Sequence, residues 1–182
     1  MQLKEHLQRC LDKLGTFFRL TLAHGAPIAF MKETERPYHE LAGFEGMPYV
    51  CLRVPTAGGK TYMAAHAVSV AARELLNVER VVCLWLVPSN VIREQTLAAL
   101  KNRQHPYRQA LDVAFGGKVT VVDLADALYL SHGDANGSTI VLVSTLAALR
   151  VEDTDGRKVY EANGNLQPHF VGLDDALTAK LE

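Results

Sequence analysis

Gly58, Gly59, Lys60 and Thr61 stand in a row inside RVPTAGGKTYMAAHAV, residues 53–68. Their types suit the gripping of a phosphate group. Two glycines let the backbone come close to an anion with no Cβ in the way. Successive N–H groups from Ala57 to Thr61 can point inward at it, and a helix beginning near Lys60 adds the positive end of its dipole. Lys60 is a mobile point charge for β- and γ-phosphates, and the Thr61 hydroxyl is placed to ligate Mg²⁺. The full pattern G-x-x-x-x-G-K-[ST] has glycine at position 54, where this chain has Val54. The atoms that touch phosphate come from the later positions, so the departure does not empty the site. The plainer alternative is a Gly-Gly turn that happens to precede Lys-Thr.

A second set of residues could hold the phosphates of a nucleic-acid strand. Ser89 and Asn90 follow Pro88 at a helix start, with Arg93 and Gln95 in the first turn or two. Contacts of that kind grip backbone and carry little sequence information. The alternative is that Ser89 is only a helix cap and Arg93 only a solvated side chain. Asp123 follows four β-formers in VTVVD and so mimics a Mg²⁺-holding acid, but no Glu follows it, and it reads better as the N-cap of the helix LADALYL. The seven histidines form no metal-binding pattern, and the three cysteines have no ligand spacing. Cys51, Cys83 and Trp85 lie in apolar runs and are expected in the core.

The elements that must carry these residues are legible as a rhythm. Residues 2–23 put Leu3, Leu7, Cys10, Leu11, Leu14, Phe18 and Leu22 on one helical stripe, with Gly15 a point where it could bend. HGAPIAF reads as a connection. YVCLRV is a buried strand, KTYMAAHAVSVAARELL a helix, RVVCLWLVP a second strand and NVIREQTLAALKNR a second helix. KVTVVDL is a third strand, ADALYL a short helix, STIVLVS a fourth strand, and TLAALR opens another helix. Strands alternating with helices predict an α/β fold, a parallel sheet with helices on both faces. VEDTDGRKVYEANGNLQPH is turn-rich, with a hairpin turn at Asp155–Gly156, and GLDDALTAKLE is a candidate last helix.

Composition sets the outer bounds. The chain has 182 residues, 48% hydrophobic and 21% charged, which is globular. The formal net charge of −1 offers no global basic field, so any nucleic-acid surface is local. No apolar run is long enough for a membrane span, and the N-terminus lacks the pattern of a signal peptide. With an odd, scattered cysteine count, a cytoplasmic setting is expected.

The segment VPTAGGKT resembles motif I of superfamily-two helicases and translocases of the DEAD/DEAH-like group, and most narrowly the restriction (Res) subunits of type III restriction enzymes. ERPYHEL resembles the R-P-Y-Q segment that holds adenine in that group: Arg36, Pro37 and Tyr38 match, and His39 stands where Gln is usual. LWLVPSNVIREQT resembles motif Ia, and IVLVSTLAALR resembles a later strand-plus-Thr motif with Thr145 at the matching position. The resemblance covers about residues 35–150, and motif I is its specific part. It implies an incomplete three-layer, RecA-like P-loop lobe over 35–182, preceded by a helical segment over 1–34.

The resemblance further implies ATP and Mg²⁺ as ligands, with Lys60 and Thr61 catalytic, Thr61 on the metal, and Ala57, Gly58, Gly59, Arg36, Tyr38 and His39 around the nucleotide. Ser89, Asn90, Arg93, Gln95 and Thr145 would meet double-stranded DNA. A second motor lobe, a nuclease domain and a methyltransferase subunit would be the partners. The acidic strand of motif II and the arginines of a facing lobe do not occur in these 182 residues, so an isolated chain with little or no ATPase activity is expected. Two other readings stay open: a small complete P-loop kinase using Asp123 as its metal acid, and a non-catalytic nucleotide-binding module.

Overall fold

The computed structural model describes residues 3–149; the hairpin turn at 155–156 and the candidate helix at the end of the chain lie outside the described residues. Helix α1, Glu5–His24, buries Leu7, Leu11, Leu14, Phe17 and Phe18. Gly15 does not break it. Leu22, expected on the same stripe, is exposed. Repeated four-residue steps run about 40° ahead of a 3.6-residue turn each time, so the stripe walks round the helix and its last member leaves the core. Gly25, at φ 82°, ends α1, and its N–H bonds the Thr21 carbonyl.

HGAPIAF, expected as a connection, holds the break between two helices at Gly25 and the start of the second. Helix α2, Ala26–Thr34, starts there with Pro27 in its first turn, where the missing N–H costs nothing. Helix α3, Lys60–Ala71, follows and passes into a π-helical turn at Ala72–Leu76. Val54 and Met63 join the apolar cluster built by α1 and α2.

The stretch 49–54, expected as a buried strand, joins no sheet among the described residues. Val50, Leu52 and Val54 turn toward the α1–α2 cluster, while Tyr49, Cys51 and Arg53 are exposed. The alternation is that of an extended chain, but no described strand pairs with it. Cys51 is therefore on the surface and not in the core.

The sheet has three parallel strands, β1 Val82–Val87, β2 Val119–Asp123 and β3 Thr139–Thr145, in the order β1-β3-β2. Its register runs from Val82 opposite Ile140 to Val87 opposite Thr145, and from Val119 opposite Thr139 to Asp123 opposite Val143. Central β3 is the most buried strand, with Val141 and Val143 at 0% exposure, as an inner strand with an apolar middle should be. Helix α4, Asn90–Lys101, connects β1 onward and packs on the sheet. Around β2 and β3 lie a 3₁₀ turn at Leu124–Tyr129 and two short helices, α6 His132–Gly137 and α7 Leu146–Leu149. The chain is thus α/β with an all-parallel sheet.

Helix α5, Pro106–Ala114, had no counterpart in the sequence reading. It packs on α3, where the Tyr107 ring stacks near Tyr62 at 6.2 Å. Two compact units result. One comprises Met1–Glu79 with Gln104–Gly117, and the other Arg80–Arg103 with the residues from Lys118 onward. Among the described residues no helix is long and apolar enough to cross a membrane.

Candidate functional site

Residues 54–61 form a tight loop that ends as the first turn of α3. Ala57 and Gly59 take positive φ, 59° and 87°, while Gly58 between them does not. Left-handed Gly59 followed by helical Lys60 is the alternation that turns successive N–H groups to one side, a concavity suited to an anion. Among the described residues no side chain caps the start of α3, and the N–H groups of a helix's first turn have no partner within the helix. A non-glycine residue in the left-handed region costs on the order of 1–2 kcal/mol, and Ala57 carries that strain.

The rest of the loop explains its own sequence. The Gly58 N–H donates to the Pro55 carbonyl at 3.0 Å. A Cβ on Gly58 would fall 2.8 Å from both Pro55 O and Val54 Cγ1, so only glycine fits there. The Lys60 ammonium donates to the Val54 carbonyl at 3.0 Å and the Pro55 carbonyl at 3.2 Å, strapping the entry of the loop to its exit. Val54, standing where the usual pattern has glycine, is buried in the α1–α2 cluster while its carbonyl meets Lys60. Its side chain therefore serves the core, and its backbone serves the loop. Thr61 is half-buried in the first helical turn.

The fit of this loop to a triphosphate and a divalent ion can be judged on these features. The cradle, the uncapped helix and a lysine at the mouth suit phosphate oxygens. Among the described residues no three His, Cys, Asp or Glu side chains are grouped to hold a metal. A Mg²⁺ ion there would be met by the Thr61 hydroxyl, phosphate oxygens and its own waters.

Arg36, Tyr38 and His39 sit in the connection after α2. Arg36 and His39 are exposed. The Tyr38 hydroxyl accepts the Tyr49 N–H at 2.9 Å, and its ring lies 5.4 Å from Phe30 and 5.1 Å from Tyr49. The Tyr49 hydroxyl in turn donates to the His39 carbonyl. Tyr38 thus has a structural duty that pins residues 38–49 together.

The start of α4 carries Ser89, Asn90, Arg93 and Gln95. Asn90 and Gln95 are exposed. Ser89 caps the helix, its Oγ accepting the Ile92 N–H at 3.4 Å. Arg93 bonds the Asp123 carboxylate at 2.6 Å, with both side chains largely buried. The Arg93 Nε is buried without a partner among the described residues. Asp123 also accepts the Ala125 N–H at 3.1 Å, which makes it the N-cap of the 3₁₀ turn. Thr145 ends β3 opposite Val87, is 4% exposed, and caps α7 through Ala148.

His6 is a contact that sequence reasoning missed. Its Nε2 lies 3.2 Å from the Gly58 carbonyl, across 52 residues of chain. On a helix read by its apolar stripe, a polar residue beside Leu7 carries no signal of its own. Cys83 and Trp85 on β1 are half-buried, and burial pushes the Cys83 thiol up to about 11. No protein-family model matches this chain, and no match was found among curated proteins or among solved structures.

Proposed function

We propose that residues 57–61 bind the phosphates of a nucleoside triphosphate with Mg²⁺, ATP being the expected nucleotide, and that the chain is the ATP-binding portion of a DNA helicase or translocase like the Res subunits of type III restriction systems. The observation that carries the nucleotide part is the loop itself: left-handed Gly59 leads into an uncapped α3, with Lys60 held at the mouth by two carbonyls. Lys60 would exchange those carbonyls for phosphate oxygens, a charge-assisted bond stronger than the one it leaves. The N–H groups of the loop and first turn would orient the phosphates, and the Thr61 hydroxyl would face the metal. The ion, when bound, neutralises charge on the β- and γ-phosphates.

The motor part rests on the resemblance in motif order, and with it DNA and a second motor lobe as partners. The small-kinase alternative needs a free acid at Asp123, whose carboxylate is paired with Arg93 and caps a turn. That pairing favours a motor fragment or a binding module over the kinase. Titration of Mg–ATP into the full chain tests the nucleotide reading. Binding to the wild type and a loss of about tenfold to hundredfold in Lys60→Ala, with an unchanged melting midpoint, is the expected result. Equal affinity in a folded Lys60→Ala chain overturns it.

A further inference from the structure

The phosphate loop rests on the first turns of α1, and one polar contact crosses that seam. His6 Nε2 lies 3.2 Å from the Gly58 carbonyl. A carbonyl can only accept, so Nε2 carries the hydrogen and donates. Next to it, Leu7 is 2% exposed, and a Cβ added to Gly59 would lie 3.0 Å from Leu7 Cδ1. Gly58 and Gly59 are thus fixed from below by adjacent residues of α1, one through its peptide oxygen and one through close packing.

The peptide between Gly58 and Gly59 is trans, so the Gly58 C=O and the Gly59 N–H point in opposite directions. Holding the oxygen toward α1 therefore aims the Gly59 N–H away from α1. Two glycines in sequence give this peptide plane more freedom to rotate than any other in the loop. A rotated plane would put a carbonyl oxygen where a donor is needed and repel a phosphate.

We propose that His6 is a positioning residue for the phosphate loop: its bond to the Gly58 carbonyl holds the Gly58–Gly59 peptide with its N–H presented to the anion. The proposal rests on the reading that residues 57–61 take phosphate. It assigns to the N-terminal helix a share in ligand affinity, in addition to its share in the core.

The test uses the full chain and two ligands, Mg–ATP and Mg–tripolyphosphate, titrated by calorimetry alongside thermal melting. Removing one such hydrogen bond is expected to weaken both ligands by roughly threefold to tenfold in His6→Ala. The two losses should match, because the effect lies on phosphate and not on the base. His6→Gln, which keeps a donor at similar reach, should recover most of the affinity. His6→Phe keeps a ring for packing but removes the donor; it should bind as weakly as His6→Ala, and it carries the test if the alanine variant does not fold. A folded His6→Phe chain with wild-type affinity overturns the proposal, as does a loss that glutamine fails to recover. Failure of the underlying reading looks different: the wild type then binds neither ligand, or Lys60→Ala binds both as well as the wild type does.

Discussion

Val50-Cys51-Leu52 leading to Val54-Pro55, and Val82-Cys83-Leu84 leading to Val87-Pro88, are nearly the same words, and each runs into a helix. They do not fold alike. The second is β1, paired along its length with β3. The first joins no sheet among the described residues and lays Val50, Leu52 and Val54 on helices while Cys51 faces out. The helix starts differ in the same way. At α4 side chains of the chain itself take the contacts: Ser89 caps, and Arg93 is paired with Asp123. At α3 no side chain among the described residues caps, and Lys60 is held by two backbone carbonyls of its own loop. A strand is made by its neighbour, and a binding site by what the neighbours leave unsatisfied; apolar pattern alone reports neither.

The widest separation between the two stretches should be chemical. Burial pushes the Cys83 thiol up to about 11 from an ordinary 9.0, which leaves roughly a hundredth of the usual thiolate at neutral pH, and thiolate is the reactive form. Cys51 is exposed. Alkylation of the native chain followed by peptide mass mapping should label Cys51 faster by about a hundredfold or more. Similar rates would erase the contrast between the stretches.

Next comes ligand binding. Lys60→Ala is expected to cost about tenfold to hundredfold in Mg–ATP affinity, whereas Arg93→Ala should leave that affinity within about twofold. Stability should sort in reverse. Arg93→Ala strands a largely buried carboxylate and should cost about 1–2 kcal/mol in urea unfolding, while Lys60→Ala should stay within about 0.5 kcal/mol. Equal destabilisation by the two would mean that the loop, like the start of α4, spends its cation on the fold.

The smallest effect belongs to His66 on α3. Its Nε2 is buried without a partner among the described residues, and burial holds its pKa below the ordinary 6.5. On acidification the unfolded chain takes up this proton first, near 6.5, while the folded chain is still neutral. Stability is therefore full above about pH 6.5 and declines as the pH falls below it. His66→Phe should flatten that part of a stability–pH curve; an unaltered slope would place its origin on another group.

Much of this was legible in the sequence because it is local. The three strands that formed a sheet, the α3 and α4 helices, and the run Gly58–Thr61 each announce themselves within a dozen residues. What escaped depends on distant partners. Whether 49–54 becomes a strand turns on a neighbour the word itself does not contain, and Arg93 meets Asp123 across 30 residues. Val54 looked like a defect in a phosphate-binding pattern until the α1–α2 cluster gave its side chain a place. His6 lies 52 residues from the peptide it touches.

The interleaving of the two compact units has a consequence for how the chain can be made and cut. The helical unit needs α5, which is encoded after β1 and α4 of the other unit. At about 5–20 residues per second of synthesis, α3 must wait a few seconds on the ribosome for its packing partner while the opening pieces of the sheet emerge. No single cleavage point separates the units intact. A gene split between Glu79 and Pro106 would leave the loop at 54–61 on a helix that has lost one of its walls, and an expression fragment meant to isolate that loop should carry the chain through Gly117.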